Sequence, residues 1–246
     1  MIFKQSHKFP LKTHHESTDW IEILNHHKNQ PHIKYNSNSF MVNCAQGNQL
    51  FADLPLYTLC DGAGGVPLGL MTQSRYRDLA ESLNHDDISS YLYIAHPFLA
   101  HYCQKGSELL KILHTSGYSH SSNPKDFNLF HYLCGAKNTY TQIHNHATAT
   151  ALLFEGMKEW WLAPSTVENA KLMQPLFMDR VWHLYREPGG SLAEWLEIKS
   201  SAVSSIEDLV IVLQPPSTSL YIPDKWYHGV LNHAYSSSIT LSWDYQ

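Results

Sequence analysis

The chain has 246 residues, of which 43% are apolar and only 16% charged, with 17 His, 14 Tyr and 7 Trp and a formal net charge of −5. Such a length buries a core without disulfide or metal staples, and an aromatic, low-charge composition excludes a disordered chain. The acidic balance excludes the basic footprint of a duplex nucleic-acid binder, and the apolar runs Tyr91–Ala95 and Ala149–Phe154 are too short to span a bilayer.

The N-terminal stretch MIFKQSHKFPLK lacks a hydrophobic segment of signal-peptide length. Cys44, Cys60, Cys103 and Cys134 are widely spaced with no CxxC pair. They read as reduced, mostly buried thiols of a cytoplasmic protein. Ser17-Thr18-Asp19 ahead of Trp20, Ile21, Ile23 and Leu24 is a capped helix start. The pairs His14-His15 and His26-His27 point apart on a helix or strand and are read as solvated. Residues 62–69 (GAGGVPLG) read as a loop; no GK[ST] follows, so it is not a phosphate loop. Helices are predicted over Tyr76–Asn84 and Ser107–His114, with a strand over Tyr91–Ala95 between them.

From Phe127 the texture changes to short strands: Phe127–Cys134, Tyr140–His144, Thr148–Glu155, Glu159–Ala163, Leu209–Leu213, Ser219–Ile222 and Ser238–Trp243. Gly135–Asn138, Gly156, Pro164 and Pro215-Pro216 punctuate them. Many short strands of this kind predict an antiparallel sandwich or barrel. No linker divides the chain. The expectation is one domain over 1–246, an α/β N-terminal part over 1–126 wrapping an all-β core over 127–246.

His144-Asn145-His146 is the first metal candidate, because residues i and i+2 of a strand share a face. With 17 His in 246 residues, chance alone supplies about one His-x-His, so the pair means little by itself. Its surroundings add weight. Gly156-Met157-Lys158-Glu159-Trp160 follows, and Tyr221-Ile222-Pro223-Asp224-Lys225-Trp226-Tyr227-His228 lies near the C-terminus. Over about residues 85–246 this combination resembles the JmjC/cupin-like family of double-stranded β-helix (jelly-roll) Fe(II)/2-oxoglutarate oxygenases.

The resemblance implies a double-stranded β-helix core and an Fe(II)- and 2-oxoglutarate-dependent hydroxylase. His144 and His228 match the family's two metal histidines, and His146 stands where it has a carboxylate. Lys158 matches the lysine that pairs with the far carboxylate of 2-oxoglutarate, and Thr141 the hydroxyl beside it. Tyr93 matches a cosubstrate-contacting tyrosine. Asp244 falls near an Asn that closes the pocket, and Trp226 is a pocket-wall candidate. Fe(II) needs three facial protein ligands and three open positions, and a lysine with a hydroxyl fixes the dicarboxylate by charge-assisted hydrogen bonds.

An imidazole for a carboxylate leaves the site one charge more positive, and three imidazoles also suit Zn, Ni or Cu. Two alternatives therefore stay open: a three-His cupin dioxygenase that uses no 2-oxo acid, and a non-catalytic cupin-like metal-binding protein. The ordinary roles stand beside the functional ones. Lys158 also fits an exposed lysine on an alternating strand, Thr141 a plain strand threonine and Tyr93 a core residue. Trp160, Trp161, Trp226 and Tyr227 fit core aromatics. His131, His183 and His233 are read as structural or exposed. The substrate class is a protein, a peptide or a small molecule, with nucleic acid disfavoured and no membrane partner. The sequence stops at Gln246 without the helices through which many family members dimerise. A monomer is expected, or a dimer built on the region carrying Trp20 and residues 26–35.

Overall fold

Runs of Val, Ile, Leu and Trp broken by single Gly, Pro and Asn residues dictate short strands, and the chain builds almost all of its described structure from them. The computed structural model describes residues 2–4, 10–15, 29–37, 41, 57–60, 67–82, 93–98, 129–169, 171 and 205–242. Fourteen strands form two sheets among these residues. In order across the sheet, the five-stranded one runs β1 (Ile2–Lys4), β11 (Val210–Gln214), β10 (Lys158–Ala163), β13 (Tyr227–Asn232) and β8 (Tyr140–His144). The nine-stranded one runs β2 (Lys12–His14), β3 (His32–Tyr35), β12 (Thr218–Ile222), β9 (Ala149–Glu155), β14 (Ser236–Ser242), β7 (Leu129–Gly135), β6 (Tyr93–Phe98), β4 (Tyr57–Cys60) and β5 (Pro67–Met71). The β2–β3 pair is parallel and the others are antiparallel.

One apolar cluster joins the sheets face to face. Trp160, Leu162, Val210, Val212 and Val230 of the smaller sheet share it with Ile33, Ala149, Ala151, Leu220 and Ile222 of the larger. Gln214 adds a polar rivet. Its Oε1 accepts from Trp160 Nε1–H (2.7 Å), and its Nε2 donates to Ala151 O and Thr218 O (3.0 Å each), across the gap between the sheets. Every hydrogen-bonding direction of this buried amide used here ends on a partner, the condition under which a core tolerates it.

Between β9 and β10 the chain reverses at Gly156, whose φ of +90° suits glycine, and a Cβ there would strike Tyr235 O and Ser236. Helix α1 (Gln73–Ser82) starts under a Thr72 cap, with Arg75 N–H donating to Thr72 Oγ1 (3.3 Å). Its buried Tyr76 takes Ala136 N–H on Oη (2.9 Å), and Arg77 grips Glu155 with both terminal nitrogens while lying 4.5 Å over the Tyr235 ring. The helix is thereby pinned beside the β9–β10 turn. No helix among the described residues is long and apolar enough to cross a membrane.

Three local expectations change. Residues 67–69 belong to β5 rather than to a loop; Pro67 opens a strand at the sheet's edge, where its missing N–H costs nothing. The strand β13 was not anticipated, because His228 and Gly229 interrupt its β-forming residues. His14 is not simply solvated: it meets His32 with 2.9 Å between Nε2 and Nδ1, and His32 is fully buried. The helices predicted from Ser17 and over Ser107–His114, and His26, His27 and Trp20, lie outside the described residues, as do Cys44 and Cys103. Cys134 is buried, as expected, and joins no disulfide among the described residues.

Candidate metal centre

Strand β8 ends at His144, and β13 brings His228 directly opposite it. Between this pair and the next matched pair, Thr141 with Val230, the register shifts: β8 spends three steps where β13 spends two. Three steps along a regular strand reverse the side-chain direction. The bulge cancels that reversal, so Thr141 and His144 both face the side of Val230 and His228. Val230 belongs to the core cluster, so this face is the interior.

His146 lies beyond the end of β8, so strand alternation is not what aligns it with His144. The turn after β12 does this instead. Lys225 N–H donates to His146 O (2.9 Å), and Trp226 N–H closes the turn on Pro223 O (3.2 Å). The three rings then converge, with centroid separations of 4.2 Å (His144–His228), 4.6 Å (His146–His228) and 5.4 Å (His144–His146). One ligand nitrogen from each lies within 4.8 Å of the others.

Backbone carbonyls can only accept, and this fixes two tautomers. His146 Nδ1–H donates to Ala147 O (2.6 Å) and His228 Nδ1–H to Trp226 O (2.9 Å). Both Nε2 atoms therefore present lone pairs, and they face one another at 3.2 Å. Two lone pairs at that distance repel unless a cation lies between them. Burial lowers the pKa of His146, and burial with the neighbouring His144 and His146 holds that of His228 well below the ordinary 6.5. A proton is thus a poor occupant. Nitrogens each about 2.0–2.1 Å from one metal ion, at angles between octahedral and tetrahedral, stand about 2.8–3.4 Å apart, so the spacing fits an ion.

Lys158 opens β10 on the same interior face, two and four residues before Trp160 and Leu162. Leu162 pairs with His228, so Lys158 lies about 13 Å along the strand from the histidine level at roughly 3.3 Å per residue. It is 1% exposed, and its Nζ reaches across to the opposite sheet to donate to Ser238 Oγ (2.6 Å). Loss of water brings its pKa down from 10.5 to about 8, against a smaller opposing pull from Cys134. No carboxylate among the described residues pairs with it. Glu159, next in sequence, points to the other face of β10 and bonds Trp161 Nε1 (2.8 Å) and His233 Nε2 (3.0 Å).

Thr141 is half-buried on the histidine face. Trp226 is 5% exposed in the core cluster and serves the centre through its carbonyl. Tyr93 begins β6, but its side chain lies outside the described set, as do those of His131 and Cys60; Asp244 and His183 lie outside it altogether. Sequence reasoning missed Ser238, the partner of Lys158. Its one signal is the run Ser236-Ser237-Ser238, three small polar residues in a fully buried stretch of strand. No protein-family model matches this chain, and no curated protein sequence matches it either.

Proposed function

We propose that the chain is a double-stranded β-helix oxygenase that binds Fe(II) at His144, His146 and His228 and 2-oxoglutarate between the metal and Lys158. It would hydroxylate a protein, peptide or small molecule in the cytoplasm. The observation that carries this is Lys158: an ammonium buried between the sheets, facing the same interior as the histidines, with a neutral hydroxyl as its partner. Burying a charge without a counter-charge costs several kcal/mol. A fold retains it where an anion completes the site.

The strand order supports the jelly-roll assignment. From β7 onward the eight strands divide as β12-β9-β14-β7 against β11-β10-β13-β8, so consecutive strands cross between sheets until β10 and β11 pair. Such alternation is what a double Greek-key jelly roll would produce, and it supports that reading. A metal at the mouth and a lysine deeper inside leave room for a linear dicarboxylate. Lys158 would hold its far carboxylate with Thr141 nearby, and the imidazoles would hold the ion that takes the 2-oxo acid end. Bound Fe(II) supplies the oxidising chemistry with oxygen; the chain's residues orient the cosubstrate and keep water out.

Metal analysis of protein purified without chelator, paired with a 2-oxoglutarate titration by calorimetry, tests this. One metal per chain, with 2-oxoglutarate binding that needs the metal and is lost in Lys158→Ala, is expected. A metal-loaded protein indifferent to 2-oxoglutarate would favour the second reading, a three-His metal protein without a 2-oxo acid. The imidazole of His146 in the carboxylate's place is the observation on that side.

A further inference from the structure

We propose that Ser238 and Thr240 of β14 are ligand-binding residues, Ser238 donating its hydroxyl to the same far carboxylate that Lys158 holds and Thr240 lining the path from there to the histidines. This deepens the 2-oxo acid reading above and rests on it. The observation behind it is that β14 is an inverted strand. Its apolar residues Ile239 and Leu241, each 0% exposed, point away from the sandwich interior. Thr240 pairs with Ala151 of the core cluster and so faces inward. Ser238, two residues earlier, has the same direction and meets Lys158 there. Neighbouring β9 and β12 send Ala149, Ala151, Leu220 and Ile222 into that interior, so β14 breaks an apolar lining with hydroxyls.

Unused hydrogens gather at Ser238. Lys158 Nζ carries three and gives one to Ser238 Oγ (2.6 Å). Among the described residues the other two have no acceptor, and neither has the Ser238 hydroxyl hydrogen, although both side chains are buried. A carboxylate accepts and never donates, so it can take all three while Ser238 keeps accepting from Lys158. Thr240 makes no hydrogen bond among the described residues and keeps 7% exposure on this inward-facing strand, so open space reaches the wall there. The levels agree across the gap. On the smaller sheet Lys158, then Thr141 beside Val230, then the histidines beside Leu162 follow at two-residue steps of about 6.7 Å. On the larger sheet the short 145–148 connection starts β9 at the histidine end, and Ala149, Ala151 and Leu153 run away from it. Ser238 pairs with Leu153 and Thr240 with Ala151. Thr240 therefore stands one step nearer the histidines than Ser238, at the level of Thr141.

Full-length protein loaded with Co(II) is titrated with 2-oxoglutarate by calorimetry, for wild type, Ser238→Ala and Thr240→Leu, with Co(II) uptake recorded for each. Ser238→Ala only removes an oxygen from a strand, so it tests the hydroxyl in a folded chain. Loss of a hydrogen bond to a charged group predicts binding weakened roughly tenfold or more in this variant, with Co(II) uptake intact. A leucine across the path predicts loss of 2-oxoglutarate binding in Thr240→Leu, again with Co(II) bound. Unchanged affinity in Ser238→Ala, where Lys158→Ala loses binding, overturns the proposal and leaves the 2-oxo acid reading standing. Unchanged affinity in Co(II)-loaded Thr240→Leu overturns the path along β14. A Co(II)-loaded wild type that ignores 2-oxoglutarate overturns the proposal and the reading together.

Discussion

Replacing Lys158 by methionine should make the ligand-free protein more stable while removing the 2-oxoglutarate response proposed above. Methionine fills a similar volume without the charge. The fall of the lysine pKa from 10.5 to about 8 corresponds to about 3 kcal/mol by which folding disfavours the ammonium. Because the folded value is the lower one, the unfolded chain binds more protons between these limits. Wild-type stability therefore rises as pH climbs from about 8 to 10.5 and carries the full penalty below that window. Losing the bond to Ser238 returns about 1 kcal/mol. At pH 7 a net gain of about 2 kcal/mol remains, or roughly 4–8 °C in Tm for a chain of this size. Scanning calorimetry of metal-free wild type and Lys158→Met, with and without metal and 2-oxoglutarate, measures both effects. A variant several degrees less stable at pH 7 would refute the reasoning, since the ammonium would then be held by the fold for its own sake.

Acid should weaken the metal-free protein: His146 and His228 hold pKa values below the ordinary 6.5, so the unfolded chain binds more protons as pH drops from 6.5 toward the depressed folded values. Urea midpoints at about pH 7.5, 6.5 and 5.5 should fall in that order, with metal affinity falling alongside; a flat series would count against buried neutral imidazoles. Gly156→Ala should lose about 2–3 kcal/mol, because a positive-φ turn is filled by a Cβ aimed at Tyr235 O, and chemical denaturation with an unchanged midpoint would contradict the turn geometry. Gln214→Leu should cost roughly 2 kcal/mol or more by stranding Trp160 Nε1–H inside the core; a shift in tryptophan emission with the loss would tie it to that ring.

The second half of the fold was legible because its strands are long enough to show a pattern. Tyr140–His144 was expected and found with the same ends, and β9, β10 and β12 begin or end within a residue or so of their predicted limits. Strands β1 to β4 were not legible. Three or four residues carry no periodicity, and a partner such as Val212 for Ile2 lies far along the chain. The histidine cluster was anticipated with the right three residues, but the predicted cause was wrong for one of them. His146 is placed by a hydrogen bond from Lys225, a contact no local pattern encodes. Lys158 shows the reverse case. Its motif marked it, yet only the packing of two sheets reveals that it is buried with no acid beside it among the described residues.

The extra residue in β8 bears on how this chain can change in length. Deleting Gln142 or Ile143 would let β8 pair evenly with β13, which is ordinarily the better ladder. The same deletion would turn either the threonine or the histidine out of the interior. A shortening that improves local hydrogen bonding would therefore dismantle the centre. Insertions and deletions, which exposed loops absorb freely, should be lethal to function within this one five-residue strand.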